Sequence, residues 1–305
     1  MLLRKPVPTK MKIGYPCINL SLPCRSSSRF RLATYSEEKI KETIEGNLEC
    51  LSRILEFNAK HELLFFRISS DLIPFASHPV CTFPWQHVFE KEFRRMGDFI
   101  KHHHLRISMH PDQFVLINSL NHNIFERSAK ELWYHAEILD LLGADTTAKI
   151  QIHVGGVYGD KNGSIRRFVS RYNELPERVR RRLVIENDER LYSVRDCLSI
   201  HEKTHIPVVF DAFHFRCNPE GEGIRETFLK LCSTWSDRDG LPIIDYSTQE
   251  PMKRMGTHAQ SIHLRDFRAF LEETKGFDFD IMCEIKDKEK SALKARRVLK
   301  QMKLI

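Results

Sequence analysis

The sequence predicts an α/β protein built as a single (β/α)8 TIM barrel with its functional site at the carboxyl ends of the strands. Two observations support this fold class. Eight short β-rich runs alternate with stretches of helical periodicity, and no composition break or flexible linker divides the 305 residues. An open, doubly wound sheet is the alternative, but no G-x-G-x-x-G motif follows an early strand.

The predicted elements follow from local composition. Strands are predicted where β-branched and aromatic residues cluster, at 11–19, 63–70, 106–110, 149–155, 183–187, 207–213, 242–247 and 279–285. Helices are predicted where apolar residues recur at three- or four-residue steps, at 37–60, 86–104, 123–142, 164–181, 190–204, 220–235 and 288–303. Ser36 precedes two glutamates and is predicted to cap the first helix. Residues 1–10 are predicted to be a disordered extension, and 11–305 the barrel domain.

The composition is that of a mildly basic protein, predicted to be cytoplasmic. A net charge of +7 suggests a polyanionic partner, but the basic residues are dispersed, so a solvated surface explains them equally well. No run of about 18 apolar residues occurs, so no membrane span and no membrane partner are predicted. The eight cysteines form no C-x-x-C pair and are predicted to be free thiols in a reducing compartment.

Side chains that can bind metal ions stand at the ends of six consecutive predicted strands. They are His110, His153, Glu186, Asp211 with the nearby His214, Asp245 with the later His258, and Glu284. Taken singly, a histidine at a strand end is commonly solvated, and a carboxylate there can cap the next helix. In a barrel, however, all six strand ends meet on one rim. Four carboxylates converging there without cations would be prohibitive, so the joint pattern predicts divalent metal ions.

The types of donor atom in these side chains limit which metal ions and which reactions are expected. Imidazole and carboxylate without thiolate suit zinc, manganese or iron better than calcium or an iron–sulfur cluster. Eight ligands are too many for one ion and sufficient for two or three. Ions about 4 Å apart serve hydrolytic displacement at phosphorus. The sequence therefore favours a hydrolytic metal centre over its alternative, a solvated polar rim.

Seven motifs, in order along the chain, resemble the UV damage endonuclease family. They are GYPCIN, RISSDLIP, MHPDQF, HVGG, IEND, FDAFH and CEIK, and the similarity spans about residues 11 to 290. The resemblance implies a metal-rich barrel similar to that of the apurinic endonucleases. It also implies an enzyme that nicks DNA immediately 5′ of cyclobutane pyrimidine dimers and 6-4 photoproducts, and that also cuts abasic sites. The products would carry a 3′-hydroxyl and a 5′-phosphate.

The resemblance further implies a cofactor and a partner. The cofactor would be three divalent ions, typically Mn²⁺, with Zn²⁺, Mg²⁺ or Co²⁺ as alternatives. The partner would be damaged double-stranded DNA, bound by a monomer acting at the nucleoid. By motif, one ion would be held by His110, His153 and Glu186. Glu186 would bridge to a second ion, held with Asp211, Asp245 and Glu284, and a third would be held by His214 and His258. Catalysis would rest on Glu186, Asp211 and Glu284.

The motifs also imply residues that contact the lesion. Gln113 and Phe114 match a probe dipeptide that enters the duplex, although on spacing alone Phe114 could be an ordinary core residue. Tyr15 and Asn19 match residues that line the pocket for the flipped lesion, and His78 matches a histidine near the site. Basic residues near the rim are candidate phosphate contacts: Lys161, Arg190, Arg216, Lys253, Arg254 and Lys286.

The chain departs from the family pattern at one place. Asp245 stands where some members carry a histidine, and Ile243 stands where those members carry a modified lysine. A carboxylate can replace an imidazole as a metal ligand, but any role of the modified lysine is absent here. Three alternatives remain: an apurinic endonuclease of the same fold, a metal-dependent sugar isomerase or epimerase, and a non-catalytic protein that binds damaged DNA.

Overall fold

The computed structural model describes residues 11–219 and 221–305, so the predicted extension 1–10 lies outside the described residues. Their eight strands are β1 Ile13–Pro16, β2 Phe65–Ile68, β3 Arg106–Met109, β4 Lys149–His153, β5 Leu183–Glu186, β6 Val208–Asp211, β7 Ile243–Tyr246 and β8 Asp280–Cys283. Each strand pairs in parallel with the next, and β8 pairs with β1. The predicted (β/α)8 barrel is confirmed, and the open sheet is excluded.

The helices of the described ranges surround this barrel. They are α1 Glu37–Lys60, α2 Trp85–Val88, α3 Glu90–His102, α4 His122–Leu141, α5 Lys161–Glu174, α6 Glu177–Arg180, α7 Val194–Thr204, α8 Ala212–Cys217, α9 Ile224–Cys232, α10 Leu264–Glu273 and α11 Glu289–Gln301. Ser36 caps α1 as predicted, because its side chain accepts a hydrogen bond from the N–H of Lys39. None of these helices combines the length and apolar character needed to span a bilayer.

The predicted helix boundaries need three corrections. The predicted helix 86–104 is two helices, α2 and α3, and the predicted helix 164–181 is likewise α5 and α6. Pro176 separates the latter pair, because a proline disfavours helical geometry in the residue before it. The predictions also missed α8 and α10. Part of α8 had been assigned to the preceding strand, whose β-rich character runs directly into it.

Alternation along the strands divides the barrel interior into layers. The middle layer is an apolar cluster of residues from five strands: Phe65, Val184, Val209, Ile243 and Met282. At the amino ends, Arg106 forms an ion pair with Asp280 at 2.8 Å. At the carboxyl ends stand the predicted ligands. Because the repeat is two residues, Ile243 lies in the apolar layer and Asp245 lies in the polar layer above it.

One cysteine pair contradicts the prediction of free thiols. Cys24, in the loop after β1, forms a disulfide with Cys50 on α1, and their Cα atoms lie 5.7 Å apart. Five others are free thiols, as predicted: Cys17, Cys81, Cys217, Cys232 and Cys283. The two partners are 26 residues apart and follow no short motif, so only the packing of the loop against α1 brings them together.

Candidate metal centre

Seven of the eight predicted metal ligands come together at the carboxyl rim of the barrel. They form three overlapping groups, in each of which the ligand atoms lie within 4.8 Å of one another: His110, His153 and Glu186; Glu186, Asp211 and His214; Asp211, Asp245 and Glu284. Glu186 and Asp211 each belong to two groups, which is the arrangement expected of bridging carboxylates. His258 is the eighth, and its ring centroid lies 6.0 Å from that of His214.

Three of the histidines are held by the same kind of hydrogen bond. Nδ1 of His110, of His214 and of His258 lies within hydrogen-bond distance of a backbone carbonyl. These carbonyls belong to Pro111 at 2.8 Å, Asn187 at 3.1 Å and Glu284 at 2.7 Å, respectively. An imidazole that donates from Nδ1 to a carbonyl presents Nε2 to a metal ion, and this bond fixes both the tautomer and the ring orientation. The rim thus contains three imidazoles prepared as Nε2 ligands.

Asp211 provides a direct test of whether the rim fits a cation. Its Oδ1 caps α8 by accepting hydrogen bonds from the N–H groups of Phe213 and His214. Its Oδ2 is buried and accepts no hydrogen bond, and Nδ1 of His153 is buried without a partner as well. Nδ1 of His214 lies 3.3 Å from Oδ2, but it is directed to the carbonyl of Asn187. A buried carboxylate oxygen without a hydrogen bond is costly unless a cation binds it, so the donor atoms fit divalent metal ions.

The pKa values of the side chains at the rim depend on burial and on the charges of their neighbours. Burial acts to raise the pKa of Glu186, but the neighbouring His153 and His110 bring that pKa below its usual range. Burial raises the pKa of Asp211 to about 6, although His214 opposes the shift. Burial disfavours the charged form of His214, but Asp211 and Glu186 outweigh it and raise the pKa of His214 to about 9. A metal ion binding at His214 near neutral pH must therefore displace a proton.

Arg67, on β2, is a member of this centre that the sequence reasoning missed. Its buried guanidinium places Nη2 2.9 Å from both carboxylate oxygens of Asp245 and 2.9 Å from Oε1 of Gln151. Its Nη1 donates to Glu284. The chain itself thus supplies one permanent cation to the four carboxylates. A charged residue inside the apolar run LLFFRIS was the signal that could have revealed it, because a buried arginine needs counter-ions.

This pairing distinguishes Asp245 from the other predicted ligands. Both of its oxygens accept hydrogen bonds from Arg67, and Nε2 of Gln151 donates to Oδ2 as well. Asp245 is completely buried. It is therefore the carboxylate of the rim least available to a metal ion, and its role as a ligand stays a prediction.

The predicted probe dipeptide lies beside the metal ligands. Gln113 and Phe114 occupy an exposed turn after β3, and the Phe114 side chain is 75% exposed, so it is not a core residue. A cavity of about 770 Å³ joins this turn to the rim. Its lining includes Phe114, His110, His153, His258, Glu284 and the basic pair Lys286 and Lys288. An exposed aromatic side chain, predicted metal ligands and cations therefore share one open cavity.

The other predicted contacts to a lesion lie elsewhere. Tyr15 is completely buried on the outer face of β1, where its hydroxyl donates to Asn58 and accepts from Asn19, itself buried. Their neighbours Pro16 and Cys17 line the cavity instead. His78 is exposed, and its Nδ1 accepts a hydrogen bond from Val80. Direct contacts from Tyr15, Asn19 and His78 to a lesion stay predictions, and the side chains of the first two are buried.

A closed barrel whose strand ends carry a shared histidine and carboxylate centre defines a candidate metal-dependent barrel enzyme. Residues 11–305 match the family described as UV-endonuclease UvdE. The chain is 39% identical over 294 residues to a UV DNA damage endonuclease of Clostridium perfringens (strain 13 / Type A), covering 96% of this chain and 71% of that protein. The crystal structure of SacUVDE matches with a TM-score of 0.93 at 44% identity, covering 97% of this chain and 100% of that chain.

The chain therefore belongs to the UV-endonuclease UvdE family, and it is an endonuclease that acts on DNA. More distant structures share the fold alone. Endonuclease IV from Thermus thermophilus matches with a TM-score of 0.54 at 17% identity, covering 83% of this chain and 94% of that chain. An L-ribulose 3-epimerase matches with a TM-score of 0.60 at 14% identity, covering 95% of this chain and 94% of that chain.

Manganese is expected to raise the melting temperature of the metal-free protein, and to raise it more near pH 8 than near pH 6.5. Ions that bind only the folded state stabilise it. Binding also displaces the proton of His214, whose pKa is about 9, so apparent affinity increases as pH rises through this range. The measurement is thermal unfolding after removal of metal with EDTA, with and without excess MnCl2.

Two histidine variants control this experiment. His153→Asn removes a ligand of the first group and should reduce the manganese-induced shift. His263→Asn changes a half-exposed histidine whose partner is Asp266, outside the three groups, and should keep the full shift. An equal shift in all three proteins would mean that the metal binds elsewhere.

Proposed function

We propose that this chain is a metal-dependent endodeoxyribonuclease that hydrolyses the DNA backbone immediately 5′ of a UV lesion. The substrates are duplexes with cyclobutane pyrimidine dimers or 6-4 photoproducts, and abasic sites are cut as well. The products carry a 3′-hydroxyl and a 5′-phosphate. The observation that carries the proposal is that the predicted metal ligands and an exposed aromatic side chain share one cavity at the barrel rim.

The cofactor of this proposal is a set of three divalent ions, with Mn²⁺ favoured by the mixed nitrogen and oxygen donors. Glu186 and Asp211 bridge neighbouring groups of ligands, with His110 and His153 on one side and His214 and His258 on the other. Bound there, divalent ions would activate water and neutralise the charge that develops on the phosphodiester during in-line displacement. The catalytic residues are then Glu186, Asp211 and Glu284.

The remaining residues of the cavity bind and position the DNA. Phe114 is placed to compensate for the loss of base stacking where the duplex opens, and the Gln113 amide can bond bases that lose their partners. Lys286 and Lys288, on the cavity wall, can bind backbone phosphates. A photodimer already disrupts pairing, so extruding it costs less than extruding intact bases. Damaged duplex DNA is then bound by a monomer in the cytoplasm, at the nucleoid.

A nicking assay on end-labelled duplexes with added manganese tests this proposal. One duplex carries a single thymine dimer, one carries an abasic site, and one is undamaged. A cut directly 5′ of the dimer that disappears on chelation is expected. Cutting only at the abasic site would favour an apurinic endonuclease. No cutting with any divalent metal would overturn the proposal and direct the next assay to sugar isomerase or epimerase activity.

A further inference from the structure

A hairpin at the rim of the barrel, residues 249–258, which we call the Met252 finger, contributes only its last residue to the proposed function. It follows β7 and ends at the predicted ligand His258. Its base is an antiparallel bridge between Gln249 and His258, and the N–H of Glu250 donates to the carbonyl of Thr257 at 2.8 Å. The finger therefore stands on a paired stem directly beside the metal centre.

The tip of the finger is held by the side chain of Gln249. Its Oε1 accepts a hydrogen bond from the N–H of Gly256 at 3.0 Å. Its Nε2 lies 2.9, 3.3 and 3.0 Å from the carbonyl oxygens of Glu250, Lys253 and Arg254. A side chain that satisfies several backbone groups of a turn fixes the turn conformation. The tip is thus preorganised.

The preorganised tip presents an apolar side chain to solvent. Met252 is fully exposed, at 101% of its reference area, and its φ of 58° is one that side-chain-bearing residues rarely adopt. Lys253 and Arg254 follow it, both exposed, and neither forms an ion pair with any residue that the structure describes. The same turn exposes Met255 to 65%, so the tip of the finger presents two methionines beside two solvated cations.

The strand order places the finger opposite the probe dipeptide. β3 and β7 are four strands apart in either direction around the eight-stranded barrel. Phe114 follows β3 and the finger follows β7, so the two exposed apolar side chains rise from opposite sides of the metal centre. A rod-shaped ligand lying across the rim would contact both.

We propose that the Met252 finger is a second DNA-binding element, in which Met252 enters the base stack of the damaged duplex on the side of the metal centre opposite Phe114. Lys253 and Arg254 bind the flanking phosphates. Methionine is among the apolar side chains that proteins insert between base steps, and two adjacent cations complement the phosphate backbone. A protein partner would need a broader apolar surface than this single tip offers. The inference rests on the proposed function.

Single-turnover nicking of a thymine-dimer duplex by the manganese-loaded enzyme tests the inference. Met252→Gln removes the apolar character and keeps the length of the side chain. We expect it to raise the enzyme concentration for half-maximal rate about tenfold, since the apolar wedge that compensates for unstacking one base step is lost. The concentration of undamaged duplex that inhibits nicking by half should be the same for Met252→Gln as for the wild type. Lys253→Gln should weaken binding to both duplexes and lower the salt dependence by about one phosphate contact.

Leu229→Gln is the matched control, because Leu229 is 65% exposed on the outer helix α9 and lies away from the rim. It should behave as the wild-type protein. If Met252→Gln and Lys253→Gln match the wild type while the wild type nicks the dimer duplex, the finger has no role in DNA binding and only this inference is overturned. If the wild type itself neither nicks nor prefers the dimer duplex, the proposed function fails, and the inference fails with it.

Discussion

Glu186→Gln is expected to abolish nicking while leaving binding to a dimer duplex partly intact. Glu186 is the carboxylate shared by two ligand groups, and His110 and His153 already hold it in the charged form. The amide keeps the shape but cannot carry the charge that binds two cations. A metal centre contributes several kcal/mol to the transition state, so we expect a loss of at least about a thousandfold. The measurements are single-turnover nicking and duplex binding.

Measuring the manganese bound per chain distinguishes the loss of a metal ligand from a general defect in folding. Dialysed Glu186→Gln protein should hold fewer ions per chain than the wild type, because one carboxylate serves two groups. Glu177→Gln changes a mostly exposed glutamate on α6 and should match the wild type in metal content and rate. A rate for Glu186→Gln within about tenfold of the wild type would exclude Glu186 as a bridging ligand.

Arg67→Met is expected to destabilise the metal-free protein by about 3–5 kcal/mol, the usual cost of leaving a buried charge unpaired. The guanidinium bonds both oxygens of Asp245 and one of Glu284, and all three side chains are largely withdrawn from water. The measurement is urea unfolding in EDTA. Arg29→Met removes an exposed ion pair with Asp71 and should cost less than about 1 kcal/mol.

A double-mutant cycle with Asp245→Asn tests the reason for that loss. If Arg67 serves mainly to compensate Asp245, the double variant should be destabilised by less than the sum of the single variants. Metal content provides a further readout. A carboxylate paired to Arg67 contributes little to metal binding, so Asp245→Asn should retain most of the bound manganese. Loss of an ion in this variant would make Asp245 a true ligand and Arg67 its competitor.

The ligand set could be predicted from the sequence because two regularities combine. Parallel strands of a barrel end on one rim, and a histidine or carboxylate at the end of each predicted strand must therefore approach the others. Seven of the eight predicted ligands do so, and His258 lies beside His214. The exposed state of Phe114 was less predictable, because its neighbours Val115 and Leu116 make the segment apolar. The motif similarity, rather than the local composition, indicated that Phe114 is exposed.

The features that the sequence did not reveal depend on which way a side chain faces or on which segments pack together. Tyr15 and Pro16 are adjacent on β1, and a shift of one residue exchanges the inner and outer faces of a strand. Tyr15 consequently packs against Phe66 and Asn58, while Pro16 lines the cavity. The Cys24–Cys50 disulfide likewise depends on packing between separate segments, whereas Pro176 divides one predicted helix by its local geometry.

Local composition and a two-residue repeat were sufficient to predict the strand count, the barrel class and the candidate metal ligands. The way in which the charges are shared could not be predicted in this manner. Arg67 on β2 reaches Gln151 on β4, Asp245 on β7 and Glu284 just after β8, and these contacts exist only once the barrel has closed. Charge compensation acts through space, so it is set by the closure of the barrel.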